Sequence, residues 1–333
     1  VPGPLTFQAP AEARALDDGG RVTWLRLIFR AESPVCCPES PVVSNNIIQA
    51  GLQIPASAVQ GAILHRLSQL EDALASACFA DSRFRAWPML PAAGDGHQGP
   101  VPDPVMCSLT HKMSKLPDGD GQHDFKDASI LPYDWHQVAA GSPLKATGGL
   151  LLRGPNGEVS VWRGADVPRA LSAHGVHRDG QNSRNLFTVE AIAPLVWSGL
   201  LALPAQAAAA LKESLTRDPH MAFGKARSVR GAGRLEVREL APADLSTPEL
   251  AHDMTGRVFV VQSPLAIGDE AKLESCEDLL AALVEQSGWG KVQECHGAAG
   301  VRFGWNRHGL GAKGAKGNLL QAVRCILPGS VVV

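Results

Sequence analysis

The chain has 333 residues, 45% hydrophobic and 19% charged, an ordinary globular balance long enough for two domains. Its formal net charge of −2 argues against a general nucleic-acid binder, which is basic overall, and leaves room only for a local basic surface. No apolar run approaches the about 18 residues of a membrane span, and no basic-then-apolar leader stands at the N-terminus, so a cytoplasmic protein without membrane contact is expected. The seven cysteines are odd in number and irregular in spacing, with no CxxC pair, so they read as reduced thiols. The adjacent Cys36-Cys37 would form only a strained bridge. Acids gather at Glu71–Asp81, Asp118–Asp134 and Glu236–Glu249 and are absent from Cys295 to Val333, so one face is expected to be basic and another acidic.

Residues 1–20 are rich in proline and alanine and read as a loose arm. Arg21 to Arg30 alternates, with Thr23, Leu25, Leu27 and Phe29 on one face, which predicts a half-buried strand. Residues 35–53 read as a long loop. In the segment that follows, Ser57 with Gln60 fits a capping box. Val59, Ile63, Leu67, Leu70 and Leu74 then recur at helical spacing, predicting one helix over 58–77. Pro88 to Pro143 is irregular and proline- and glycine-rich, and reads as an insertion. Gly148–Arg153 and Glu158–Arg163 flank a Pro-Asn-Gly turn, a hairpin signal. Leu186–Leu203 reads as one or two strands, Ala205–Leu215 as a helix, and Arg234–Leu240 as a strand.

Between that last helix and strand lies Phe223 to Leu235, which carries four cations and no acid until Glu236. Glycine permits close backbone approach and positive φ, and successive N–H groups in such a loop can turn toward an anion. Lys225, Arg227, Arg230 and Arg234 make a polyphosphate chain the expected anion, with Ser228 and the glycines Gly224, Gly231 and Gly233 in the same loop. The loop is not a P-loop, since no Gly-Lys-Ser/Thr follows, and Gly231-x-Gly233 lacks the third glycine of a dinucleotide fingerprint.

The element order, strand–helix–strands–helix–glycine loop–strand, is βαββαβ, the ferredoxin-like topology. Beyond a linker at 241–255 come predicted strands at 257–262, 301–305, 319–326 and 330–333 and a helix at 276–285, a second, degenerate unit of the same kind. The expected fold class is therefore α+β with two ferredoxin-like (RRM-like) units. They are residues 1–245, with a glycine-rich loop and an insertion at about 88–143, and residues 246–333.

Three stretches carry a family resemblance. Ile54-Pro55-Ala56-Ser57-Ala58-Val59-Gln60-Gly61-Ala62 and the glycine loop Gly224–Arg234 are similar to two motifs of the RAMP superfamily, the RRM-like subunits of CRISPR effector complexes. Gly304-Trp305-Asn306 with Leu327-Pro328-Gly329-Ser330 resembles the ending of its group-5-like subunits in type III-D systems, and type VII systems contain a similar subunit. The segment His174–Ile192 also resembles those proteins. Ala56 replaces the family's usual glycine, and Gln60 stands where Lys or Arg is common, which removes one phosphate contact.

The resemblance implies a non-catalytic subunit, without cofactor or metal, that binds and caps the 5′ repeat-derived handle of the crRNA. Its implied partners are group-7 backbone subunits and a large subunit or effector nuclease. Two other readings stay open: a metal-independent endoribonuclease processing precursor crRNA, and a backbone subunit that cuts target RNA.

Several other residues belong to the expected RNA surface. Ser57 and Gln60 lie at a helix N-terminus, which favours phosphate or serves simple capping. His174, His177 and Arg178 suggest acid/base RNA cleavage or are plain loop polar groups, and His177 and Arg178 are also counted as RNA contacts. Trp305, Asn306, Arg307, Lys313 and Lys316 occupy the acid-free C-terminal stretch, where Trp305 can stack on a base. Cys107, His111 and His123 are the one Cys/His run worth testing for zinc, but their spacing matches no standard site and a fourth ligand is missing.

Overall fold

The computed structural model describes residues 19–37, 47–106, 109–112, 125–127, 144–146, 150–153, 159–162, 167–176, 185–224, 230–241, 259–262, 265–266, 295–296, 299–302, 323–328 and 330–332. Two compact units divide the chain. One is made of Gln8–Pro104 with Leu152–Ser246, and the other contains Val105–Leu151 with Thr247–Val333.

The first unit opens with β1 (Val22–Ala31), β2 (Ile47–Ile48), α1 (Ala56–Ser68), α2 (Asp72–Ala80), β3 (Arg85–Ala86) and β4 (Leu90–Ala93). The chain continues through β5 (Asp103–Met106), β6 (Leu109–Lys112), β7 (Phe125–Asp127), β8 (Leu144–Ala146), β9 (Leu150–Arg153) and β10 (Val159–Trp162). Then come β11 (Arg169–Val176), β12 (Asn185–Ile192), β13 (Val196–Pro204), α3 (Ala205–Arg217), β14 (His220–Ala222) and β15 (Ala232–Glu239). The alternating segments read from the sequence as strands at 21–30, 186–203 and 234–240, and the alanine-rich helix at 205–215, are all present.

β1 is the centre of the main sheet. It pairs antiparallel with β13 from Val22↔Pro204 to Arg30↔Val196, and on its other side with β15 from Leu25↔Glu239 to Ala31↔Gly233. The full order is β14-β15-β1-β13-β3, with β4 also on β13. β3 and β4 together form one interrupted edge strand, broken where Met89 and Pro88 lie against Gly199 of β13.

Alternation along β1 sorts its side chains between two faces. Leu25, Leu27, Phe29 and Ala31 point to the core formed with α1, α2 and α3, where Ile63, Leu67, Leu211 and Trp197 are also buried. Ile28 points the other way, into a small cluster with Ala92, Ala93, Val101 and Val196. Arg26 and Arg30 share that second face.

The helix predicted over 58–77 is in fact two. α1 tightens at its end, where the N–H groups of Leu70 and Glu71 both donate to the carbonyl of Leu67, at 3.0 and 2.9 Å. Glu71 is then extended (φ −159) before α2 begins. No proline or glycine marks this break, so periodicity alone runs through it. Val59, Ile63 and Leu67 keep the apolar stripe on α1, Leu74 is buried from α2, and Leu70 at the joint is 40% exposed. The expected capping box is also absent. Pro55 is the N-cap of α1, with no side-chain cap bond, and Ser57 and Gln60 lie within the helix.

The insertion expected over 88–143 starts later than 88. Met89 is fully buried and Leu90–Ala93 belongs to the main sheet. Part of the loop expected at 35–53 is likewise paired, since Val35 bridges Ile192 and Ile47-Ile48 runs parallel to β12. The predicted hairpin is present, with β9 and β10 as sheet neighbours.

In the second unit β6, β7 and β8 form a three-stranded sheet in the order β7-β6-β8. Near the C-terminus are β16 (Phe259–Val260), β17 (Leu265–Ala266), β18 (Cys295–His296), β19 (Ala299–Arg302), β20 (Val323–Ile326) and β21 (Val331–Val332). They make two further sheets, β16-β21-β18 and β17-β20-β19. The helix expected at 276–285 lies outside the described residues. Among those described, no helix is long and apolar enough to cross a membrane.

The helix break has an energetic signature. Leu67→Ala removes a fully buried side chain and is expected to cost about 2–5 kcal/mol. Leu70→Gln is expected to stay within about 0.5 kcal/mol in urea unfolding, whereas one continuous helix would bury both positions.

Candidate nucleic-acid interface

The glycine motif connects β14 to β15, which pair at the edge of the main sheet through His220↔Arg234, Met221↔Gly233 and Ala222↔Ala232. Its entry is set by Asp218, the residue after α3. The Asp218 carboxylate accepts from the His220 backbone N–H at 3.1 Å and contacts the His220 ring at 3.0 Å. Arg66 of α1 pairs with the same carboxylate at 3.1 Å and donates to the Ser214 carbonyl at 3.3 Å. The bonds from His220 first, and then from Arg66, hold Asp218 down at a pKa of about 2.

The base of the hairpin is fastened to the end of β1. Phe223 is buried and meets Phe29 edge-on, with ring centroids 4.7 Å apart. The Phe223 N–H donates to the Gly231 carbonyl (3.0 Å), and the Gly231 N–H to the Pro34 carbonyl (2.9 Å). The Ala232 carbonyl accepts from the N–H groups of Glu32 and Ser33, and its N–H donates to Ser33 Oγ at 2.8 Å.

Each glycine of the motif is explained by this attachment. A Cβ on Gly231 (φ +69) would lie 1.9 Å from the Phe223 carbonyl oxygen. On Gly224 (φ +89) it would lie 2.4 Å from that of Cys36, and on Gly233 2.2 Å from that of Arg30. The close approach these glycines permit is therefore made by the chain's own backbone.

Of the loop cations, Arg230 is half-buried and donates to Ser172 Oγ on β11. Arg234 is 61% exposed and pairs with Glu32 at 3.1 Å. Lys225, Arg227 and Ser228 lie outside the described residues. Ser57 is exposed and Gln60 half-buried on α1, which packs against β3, α2 and α3.

The two motifs are joined through the segment that carries Cys36 and Cys37. Gly224 closes on the Cys36 carbonyl, and the Gly51 N–H, just before the lead-in to α1, donates to the Cys37 carbonyl at 2.9 Å. Both cysteines are buried thiols outside any disulfide. Cys36 lies in a cluster with Ile48, Val189 and Ala191, and Cys37 in the main core. Burial, with Cys36 beside it, pushes the Cys37 thiol up to about 12, so it stays protonated and unreactive at neutral pH.

His177, Arg178, Trp305, Asn306, Arg307, Lys313 and Lys316 lie outside the described residues, as do Cys107 and His123. Of His111 only its place on β6 is described. Among the described residues no three His, Cys, Asp or Glu side chains are grouped to hold a metal ion.

No protein-family model matches the chain, and no curated protein matches it. Similar solved structures include the type III-B Cmr-beta bound to cognate target RNA, at 10% identity and a TM-score of 0.36, covering 66% of this chain and 97% of that one. They also include oligomeric Cmr4 from Pyrococcus furiosus, at 9% identity and a TM-score of 0.29, covering 66% and 99%. A likeness this distant assigns neither fold nor function by itself.

Two outcomes test the hairpin's attachment. Gly231→Ala adds strain at positive φ on top of a backbone clash, and is expected to destabilise by at least about 1–3 kcal/mol in urea unfolding. Asp218 has a folded pKa below its ordinary carboxylate value, so its contribution is present above about pH 4 and lost as pH falls toward about 2. Asp218→Asn should therefore melt earlier than wild type at pH 7, and the difference should shrink steadily from about pH 4 to about pH 2.

Proposed function

We propose that this chain is a non-catalytic, RNA-binding subunit of a CRISPR RNA-guided effector complex in the cytoplasm, serving antiviral defence. In this reading it holds the 5′ repeat-derived handle of the crRNA and docks onto group-7-type backbone subunits, beside a large subunit or effector nuclease. The observation that carries the reading is the place of the basic glycine hairpin. It lies between the last helix and the last strand of an antiparallel sheet, at the sheet's edge, with its base fixed and Arg230 and Arg234 carried at that base.

Two further observations support it. The order β15-β1-β13-β3/β4, with helices packed on one face, is the arrangement a ferredoxin-like βαββαβ unit requires. The lead-in motif is structurally employed too: Ile54 is fully buried and exchanges backbone hydrogen bonds with Met89 at 2.9 and 3.0 Å, which sets the start of α1. The proposed domains are residues 1–245 with their insertion and a second ferredoxin-like unit over 246–333.

In the proposed complex Lys225, Arg227, Ser228 and the exposed Arg234 contact handle phosphates, which position RNA without reading its sequence. Arg230 serves the same surface while tying the hairpin to β11. Ser57, Gln60, His177, Arg178, Trp305, Asn306, Arg307, Lys313 and Lys316 are proposed as further RNA contacts.

The test is anisotropy titration of a labelled handle RNA and a scrambled RNA across a salt series. Wild type should prefer the handle. Lys225→Ala with Arg227→Ala should flatten the log–log salt slope by roughly 1.4, about 0.7 per cation on a single strand. Equal weak binding of both RNAs, with an unchanged slope in the variant, would contradict the reading.

A further inference from the structure

The face of the main sheet opposite the helices carries a second cluster that the hairpin does not explain. Trp24 of β1 and Trp87, just after β3, are both half-buried, with ring centroids 5.2 Å apart and planes inclined at 36°. β13 lies between their strands, and the register shows how they meet. Trp24 is opposite Ala202, and the Trp87 N–H donates to the carbonyl of Leu200. The small Ala202, 1% exposed, is the β13 residue in register between Trp24 and Arg85. Neither indole belongs to the buried cluster on either side of the sheet.

Cations flank the pair on the same face. Arg85 is opposite Ala202 on the outer side and is exposed. Arg238 of β15 is opposite Arg26, next to Trp24 along the strand, and is 60% exposed. Arg85 and Arg238 are separated by three inter-strand spacings and two residues along the strands, about 16 Å between backbones. Arg26 itself is committed, bonding the carbonyls of Val101 and Pro102 at 2.8 Å and Asp103 at 2.7 Å. Glu236 offsets part of the charge, 3.8 Å from Arg238 and 3.5 Å from Arg30.

We propose that the Trp24–Trp87 pair is a base-stacking site for single-stranded RNA, with Arg85 and Arg238 on the adjoining phosphates. Partly exposed indoles flanked by guanidiniums can offer a base an aromatic surface and its backbone a counter-charge, a combination that binds single strands without sequence readout. A protein segment docking on apolar surface would meet a cationic rim instead. The proposal rests on the RNA-binding reading above and adds a base contact to its phosphate contacts.

The test compares the full chain's affinity for a 12-nucleotide RNA (about one site of this class) with that for an abasic backbone of equal length. Wild type is expected to prefer the base-bearing strand at least about 5-fold, the worth of one stack. Trp24→Ala/Trp87→Ala should abolish the preference while keeping the salt slope, and Trp24→Phe/Trp87→Phe should retain it. No preference in wild type, or a preference that survives in a folded alanine variant, overturns the proposal. In the latter case the bases are contacted elsewhere on the chain. If the alanine variant does not fold, Arg85→Glu/Arg238→Glu decides: a flatter salt slope supports the site and an unchanged one overturns it. Lys225→Ala/Arg227→Ala separates the two readings, since it should flatten the slope and leave the base preference intact. Failure of wild type to bind any RNA overturns both.

Discussion

The form of the main sheet's basic edge depends on the approach of two backbones at Gly231 and Gly233. There the hairpin base lies so close to Phe223 and Arg30 that no side chain fits. That approach lets Gly231 and Ala232 bond the turn that follows β1, from Glu32 to Pro34. Phe223 then enters the core against Phe29. A cationic loop repels itself, and nothing in its charge would hold it in one place. Most of the holding is done by glycine-permitted backbone bonds and one buried ring, with Arg230 bonded to Ser172 and Arg234 paired with Glu32 beside them.

The same registers explain a second feature of the sheet. Arg26 stands opposite Arg238, and Arg30 opposite Arg234. Like charges directly opposite on neighbouring strands are unfavourable. In each pair the β1 arginine turns to backbone carbonyls of the 97–102 segment: Arg26 to Val101 and Pro102, Arg30 to His97 at 2.7 Å. Burial, opposed by Asp103 and reinforced by Arg238, lowers the Arg26 pKa, yet a guanidinium remains charged at neutral pH. The β15 partners are left outside in water. One cation of each pair thus pins a covering segment to the sheet, and the other stays available to solvent.

Much of this was legible in the chain. β1, β13, α3 and β15 were visible because ten or so residues of clean alternation or helical spacing carry enough signal. The glycine motif was visible too, but what its glycines approach was not. Closeness to Cys36, Phe223 and Arg30 is a tertiary fact with no local signature. β2 and β3 have two residues each and cannot show a period. The break between α1 and α2 has no proline or glycine, and is made by where Leu74 and Cys78 find the core. The indole pair escaped notice because Trp24 and Trp87 are far apart in sequence and only the β13 register brings them together.

The central claim, that the hairpin is an RNA clamp on a fixed base, is tested most directly by photocrosslinking the full chain to a handle RNA and mapping the adducts by mass spectrometry. The account predicts adducts within the peptide from Phe223 to Arg234, lost when an unlabelled handle RNA competes. Adducts confined to other parts of the chain, with the hairpin peptide unmodified, would contradict it.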